Sequence, residues 1–284
     1  MRLLTFRHRH DTHAGLLVNE QIYALPWPDL AAAASAGREA IRQAAAAAQP
    51  IPLASVQIEA PIARPGKIIA VGLNYLDHVQ EQNLTPPDRP TLFTKFSTAV
   101  NRHLGVIRWD PTLTQRVDYE AELAVIIGQQ ARRVPKAAAY DYIFGYTCLN
   151  DITARDLQRG DKQWVRGKSL DTFCPIGPIV VTPDELPDPH TLDIRCWVNE
   201  ELRQASNTRH LIYDVPTLLE ICAAAFTLEP GDIITTGTPG GVGDFRTPPT
   251  YLRPGDRLVV EIEGIGRLEN LVGPYLTAAE MINN

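Results

Sequence analysis

Residues 117–127 read VDYEAELAVII. The run closes on Val125, Ile126 and Ile127, which are β-branched and apolar and suit a buried strand. Glu120 and Glu122 stand just before that run. Residues two apart on a strand share a face, so the two carboxylates point the same way. Side by side at the edge of a core they repel each other and resist desolvation. The stretch therefore calls for solvent, basic partners or a metal ion beside it.

Working outward, short strands dominate after residue 67. Apolar runs punctuated by Pro, Gly, Asp and Asn predict strands over 67–72, 92–96, 117–127, 142–150, 176–182, 192–199, 232–236 and 257–263. Helices are expected over 74–83, 152–159, 213–226 and 277–283. Strands and helices do not alternate regularly, which disfavours a doubly wound sheet. The pattern predicts an α+β, β-rich fold, a mixed β-roll or distorted barrel over residues 61–284. Residues 1–60 read as a small N-terminal α/β domain. Strands near 2–6 and 15–25 precede an alanine-rich helix over 29–48, bounded by Pro28 and Pro50.

Composition narrows the function. With 44% hydrophobic and 21% charged residues the chain resembles an ordinary soluble globular protein. A net charge of −6 disfavours a nucleic-acid binder or a partner of anionic membranes. The start, MRLLTFRHRHD, has no apolar core of a secretory signal, and no apolar run reaches membrane-spanning length. Cys148, Cys174, Cys196 and Cys222 form no CxxC pair, so reduced, buried thiols in a cytoplasmic protein are expected.

Hard cations such as Mg²⁺ take oxygen ligands, and Glu120 and Glu122 supply two from one strand face. Asp151, at the exit of the apolar run in GYTCLNDITARDLQ (145–158), is the candidate third ligand. Its competing role is N-cap of a helix over 152–159. In VGLNYLDHVQEQ (71–82), His78 and Glu81 share a helical face, so Glu81 can orient His78 as a general base. Lys168, in VRGKSLDTF, is a candidate electrophile or carboxylate binder. TTGTPGGVG (235–243) lacks the GK[ST] ending of a P-loop, and its glycines let the backbone approach a ligand, with Thr238 placed to bond a substrate carboxylate. His8, His10 and His13 are spaced like metal ligands but lie in a polar stretch and read as a solvated loop.

The ordered segments NYLDHVQE, DYEAELAVIIG, GYTCLNDITARDLQ, GKSLDTFCPIGP, LEPGDIITTGTPGGVG and RPGDRL…EIEGIGRLEN resemble the fumarylacetoacetate hydrolase superfamily across about residues 65–273. The resemblance implies a mixed β-roll, a homodimer, and Mg²⁺ or Mn²⁺, with Ca²⁺ able to stand in for them in crystals. It places Glu120, Glu122 and Asp151 on the metal, Lys168 beside it, and His78 and Glu81 on a mobile lid. Arg155, Gln158 and Thr238 fall on substrate-contacting positions. The chain departs from the family pattern at Lys95-Phe96-Ser97 and at Asn101–Gly105, and Val71 stands where larger members carry an acidic ligand.

Lys95, Arg102, His103, Arg155, Lys168 and Thr238 all belong to segments expected near the metal, which points to a small anionic 2-oxo acid as substrate. The leading expectation is hydrolysis of a C–C bond in a 2,4-diketo acid of the acylpyruvate or fumarylpyruvate type. Water activated by His78 attacks the distal carbonyl, and a metal-stabilised enolate departs. Isomerisation of a 2-hydroxy-diene dicarboxylate follows closely, and oxaloacetate-type decarboxylation comes third. A non-enzymatic small-anion-binding β-roll is the alternative of a different class. The aromatic run Tyr140, Tyr142, Phe144 and Tyr146 is expected to help form the dimer interface.

Overall fold

The computed structural model describes residues 1–276, so the helix expected over 277–283 lies outside the described residues. Among the described residues the body is β-rich, with two large open sheets. The larger has twelve strands, and the second has five. At the centre of the first, Ala121–Ile127 pairs antiparallel with Ile143–Asn150 on one side and with Ile233–Thr235 on the other. Ile233–Thr235 continues, in parallel, onto Ile68–Gly72, which pairs with Thr91–Lys95. The fold class is the expected one, with open sheets and no closed barrel.

Segment 1–60 is hydrogen-bonded into this sheet, because Arg2–His8 pairs with Cys174–Val181 as well as with Asp11–Val18. The alanine-rich stretch forms two helices, Leu30–Ala36 and Arg38–Ala47, instead of one. Gly37 separates them at φ +88°, a conformation that favours glycine, and its N–H caps the carbonyls of Ala33 and Ala34.

Alternation along the central strand explains both cores. Leu123, Val125 and Ile127 join the larger core with Ile194, Cys196 and Val260 of the five-stranded sheet. Ala124 and Ile126 point the other way, into a second core with Ala33, Ala34 and Ile41 of the N-terminal helices. A strand buried on both faces reads as a continuous apolar run, which is why its sequence was so legible.

Two expectations need correction. The strand over 117–127 is interrupted at Tyr119 and Glu120: Val117–Asp118 pairs with Thr153–Ala154, and the long strand begins at Ala121. At the break, side chains take the backbone N–H groups: Asn150 Oδ1 accepts from Glu120 at 3.0 Å, and Gln204 Oε1 accepts from Ala121 at 2.9 Å. The helix after Asp151 begins only at Arg155, with Ala154 as its N-cap, so Asp151 is not a capping residue. The longest strands that were not expected are Glu201–Asn207 and Gly266–Val272. Neither carries an apolar run: Gly266–Val272 buries alternate side chains, and Glu201–Asn207 buries only the polar Gln204 and Asn207. In the aromatic stretch, Phe144 and Tyr146 are buried in the chain's own cores, and only Tyr140 is exposed.

The Asn150 bridge is testable. Asn150→Ala leaves the buried Glu120 N–H without its acceptor and is expected to cost about 1–3 kcal/mol. A lowered urea midpoint with an unchanged slope is the expected result.

Candidate active site

Glu120, Glu122 and Asp151 converge so that one ligand oxygen from each lies within 4.8 Å of the others, and all three are buried. Each arrives by a different local device. Glu122 sits on the central strand. Glu120 occupies the break before it, and Asp151 follows the neighbouring strand, its N–H donating to the Glu120 carbonyl at 2.8 Å.

Cations gather around the cluster. Lys168 Nζ lies 2.8 Å from Glu120 Oε2 and 2.7 Å from Asp151 Oδ2. Arg155 Nη1 lies 2.6 Å from Glu120 Oε1, while its Nε donates to Asp118 Oδ2 at 2.9 Å. Lys95 Nζ reaches Asp151 Oδ1 at 2.5 Å and also donates to the Lys168 carbonyl. Glu122 has no cation of its own. Its Oε2 accepts from the Thr235 hydroxyl and from the Gly237 N–H at 2.9 Å. Gly237 can present that N–H because it stands at φ +94°, where a Cβ would also come within 2.9 Å of the Val71 carbonyl.

The electrostatics follow the partners. Burial raises the Glu120 carboxyl, but Lys168 and Arg155 outweigh it and hold the group below the usual range. Burial, with Asp151 and Glu120 adding to it, pushes Glu122 well above its usual value. Burial opposes the charge on Lys168, yet Asp151 and Glu120 hold its ammonium above the ordinary value. Three buried carboxylates, one of them starved of positive charge, are a donor set that suits a hard divalent cation. The buried Tyr75 hydroxyl close by has no hydrogen-bond partner.

Above the floor stands the helix Leu76–Glu81. His78 Nδ1 lies 2.6 Å from Glu81 Oε1, and Glu81 Oε2 accepts the Gly241 N–H at 2.8 Å. Asp77 Oδ1 accepts the Gly240 N–H at 3.3 Å, so the helix is latched to the glycine-rich loop twice. His78, Glu120, Glu122, Arg155, Lys168 and Thr238 line one cavity of about 360 Å³, walled by Phe93, Trp164 and Phe245. Gly72 makes room for the indole, since a Cβ there would lie 2.4 Å from the Trp164 ring.

Not every expected residue reaches the cavity. Gln158 does, and it accepts a hydrogen bond from Arg155 at 3.1 Å. Asp151 lies within the carboxylate cluster, and Glu81 acts on the cavity through His78. Lys95 is buried in the same network but is not part of the lining. Arg102 and His103 are elsewhere: Arg102 is 3.7 Å from Glu59, and His103 Nδ1 accepts the Glu269 N–H at 3.1 Å. The Thr238 hydroxyl donates to the Ala121 carbonyl at 3.0 Å and accepts from Gln204 Nε2 at 2.8 Å, so its proton is already engaged. Sequence reasoning missed Gln204, Asp118 and Gln82, which act by holding other side chains and carry no motif of their own. His8, His10 and His13 belong to no ligand cluster among the described residues.

Open mixed sheets around buried carboxylates, with a His–Glu pair facing them across one cavity, define a class of enzymes that act on small molecules. The chain belongs to the fumarylacetoacetate hydrolase family: residues 67–273 match the family model described as Fumarylacetoacetate (FAA) hydrolase C-terminal. It is 46% identical over 224 residues to the oxaloacetate tautomerase YisK of Bacillus subtilis, covering 78% of this chain and 74% of that one. The crystal structure of a fumarylacetoacetate hydrolase from Exiguobacterium antarcticum is similar at a TM-score of 0.88 and 38% identity, covering 96% and 99% of the two chains. A maleylpyruvate hydrolase from Sphingobium sp. SYK-6, in complex with manganese(II) and pyruvate, is similar at a TM-score of 0.79 and 33% identity, covering 96% and 100%. No helix among the described residues is long and apolar enough to cross a membrane.

Burial and the neighbouring Asp151 and Glu120 raise the Glu122 carboxyl above its ordinary range, so protons compete with a cation for its oxygens. Metal binding is therefore expected to release protons and to weaken as pH falls. Titration calorimetry in buffers of different ionisation enthalpy reads the proton count directly. Glu122→Ala is expected to abolish Mg²⁺ and Mn²⁺ binding, and full retained affinity would contradict the ligand assignment.

Proposed function

We propose that this chain interconverts the keto and enol forms of a small 2-oxo acid of the oxaloacetate kind, with Mg²⁺ or Mn²⁺ on Glu120, Glu122 and Asp151. The observation that carries the reading is the placement of His78 in the same cavity as the carboxylate floor. Its likeness to an oxaloacetate tautomerase at 46% identity supports this choice among the outcomes such a site allows.

A bound divalent cation supplies Lewis acidity toward the carboxylate and keto oxygens of a 2-oxo acid. The rest falls to the chain's own side chains. Lys168 adds positive charge where an enolate's negative charge develops. Glu81 accepts from His78 Nδ1, which fixes the imidazole proton there and leaves Nε2 to take up and return the substrate proton. Phe93, Trp164 and Phe245 restrict water at the reacting atoms. Arg155 is ion-paired with Asp118 and Glu120 and donates to Gln158, and its part is to hold Glu120 ionised and in place.

Hydrolysis of a 2,4-diketo acid is the second reading. The close His78–Glu81 pairing favours it, since such a pair also suits activation of water, and so does the likeness to a maleylpyruvate hydrolase. Like its relatives' substrates by name, the ligand expected is small and anionic. We also propose a homodimer, for which the exposed Leu104, Val106 and Leu271 along one edge of the five-stranded sheet offer an apolar surface.

The test is a panel of enol oxaloacetate, acylpyruvates, fumarylpyruvate and a 2-hydroxy-dienedioate with metal present, followed by ultraviolet absorbance and product analysis. Faster loss of enol absorbance with no change in carbon count is the expected result. Release of CO₂ or pyruvate as the main event would replace tautomerisation with decarboxylation or hydrolysis. His78→Ala is expected to keep metal affinity and lose about 10²–10⁴-fold in rate. Unchanged turnover would remove His78 from the reaction.

A further inference from the structure

His78 is bracketed on both ring nitrogens by its own helical turn. Glu81, three residues on, takes Nδ1, and Gln82, four residues on, places its side-chain amide nitrogen 2.8 Å from Nε2. A carboxylate only accepts, so the Nδ1 proton belongs to the Glu81 contact. Nε2 of a neutral ring is then an acceptor, and the Gln82 amide is its donor. Gln82 is half-buried and lines the cavity beside His78. The ring also meets Phe245 in a T-shaped contact at a centroid distance of 6.0 Å.

The atom that must handle protons is therefore already hydrogen-bonded, and the donor occupies the place a water would take on Nε2. We propose that Gln82 is a positioning residue that withholds His78 from water and so selects proton shuttling over hydrolysis. This rests on the tautomerase reading of the same site.

The two outcomes differ in what Nε2 must hold. In tautomerisation the enol oxygen loses a proton, the far carbon of the enol double bond gains one, and no water is consumed. In hydrolysis of a 2,4-diketo acid one water is consumed. Its oxygen bonds to the distal acyl carbon, which leaves as a carboxylic acid. One water proton passes to Nε2 and then to the departing carbon, which has taken the electron pair of the broken C–C bond as an enolate. Only the second outcome needs a water held against Nε2. A substrate displaces the Gln82 amide from the cavity side as it binds on the floor, whereas a water competes for the same contact without that binding energy.

Gln82→Ala removes the amide and opens its volume. Gln82→Met keeps the length and bulk but has no N–H. Both are compared with wild type, loaded with Mn²⁺, on enol oxaloacetate and on acetylpyruvate. The ratio of acetylpyruvate hydrolysis to oxaloacetate tautomerisation is expected to rise about tenfold in Gln82→Ala, the scale of one hydrogen bond that no longer has to be displaced. A smaller rise is expected in Gln82→Met, where bulk still excludes water. A purely structural role would lower both rates together and leave the ratio unmoved. Ratios unchanged in both variants, with wild-type metal affinity and melting temperature, would overturn the proposal. A wild-type protein that tautomerises nothing would instead remove the reading on which it rests.

Discussion

Three buried carboxylates within 4.8 Å of one another repel, and the architecture around them answers that repulsion. Lys168 is shared between Glu120 and Asp151, Arg155 between Glu120 and Asp118, and Lys95 is spent on Asp151. These cations are themselves buried, so each depends on the carboxylates as much as the reverse. The network balances every acid of the floor except Glu122, which has only a hydroxyl and one N–H. The deficit of positive charge at Glu122 is what suits this site to a divalent cation.

The side of the cavity that carries His78 uses a different principle. The helix carrying His78 is short, and it owes its position to the backbone N–H groups of Gly240 and Gly241, which are bonded by Asp77 and Glu81. Glu81 thereby does two jobs with its two oxygens, fixing the ring proton of His78 with one and the glycine-rich loop with the other. The position of the loop and the orientation of the His78 ring are coupled through one carboxylate.

Much of this was legible in the sequence. Glu-x-Glu ahead of a β-branched run announced both the central strand and the acidic floor, because burial on both faces forces a continuous apolar pattern and makes two charges conspicuous. His78 and Glu81 were legible through helical spacing. What stayed hidden depends on long-range partners. Nothing local in Asn150 says that its side chain accepts the Glu120 N–H. Nothing in Arg102 or His103 says that they face Glu59 and Glu269 instead of the cavity. Gln82 and Gln204 are single polar residues whose meaning appears only with the ring nitrogen and the hydroxyl they touch.

The strand Ile233–Thr235 is wedged between Ala121–Ile127 and Ile68–Gly72, parallel to the latter. During synthesis, every residue from 68 to 232 leaves the ribosome before this wedge exists. Until it arrives, two central strands present unpaired apolar edges, the kind of surface that templates association between chains. Glu122 also lacks both of its hydrogen-bond donors, Thr235 and Gly237, until then. Completion of the sheet and completion of the carboxylate pocket are thus one late event in the life of the nascent chain, and truncation before residue 237 forfeits both together.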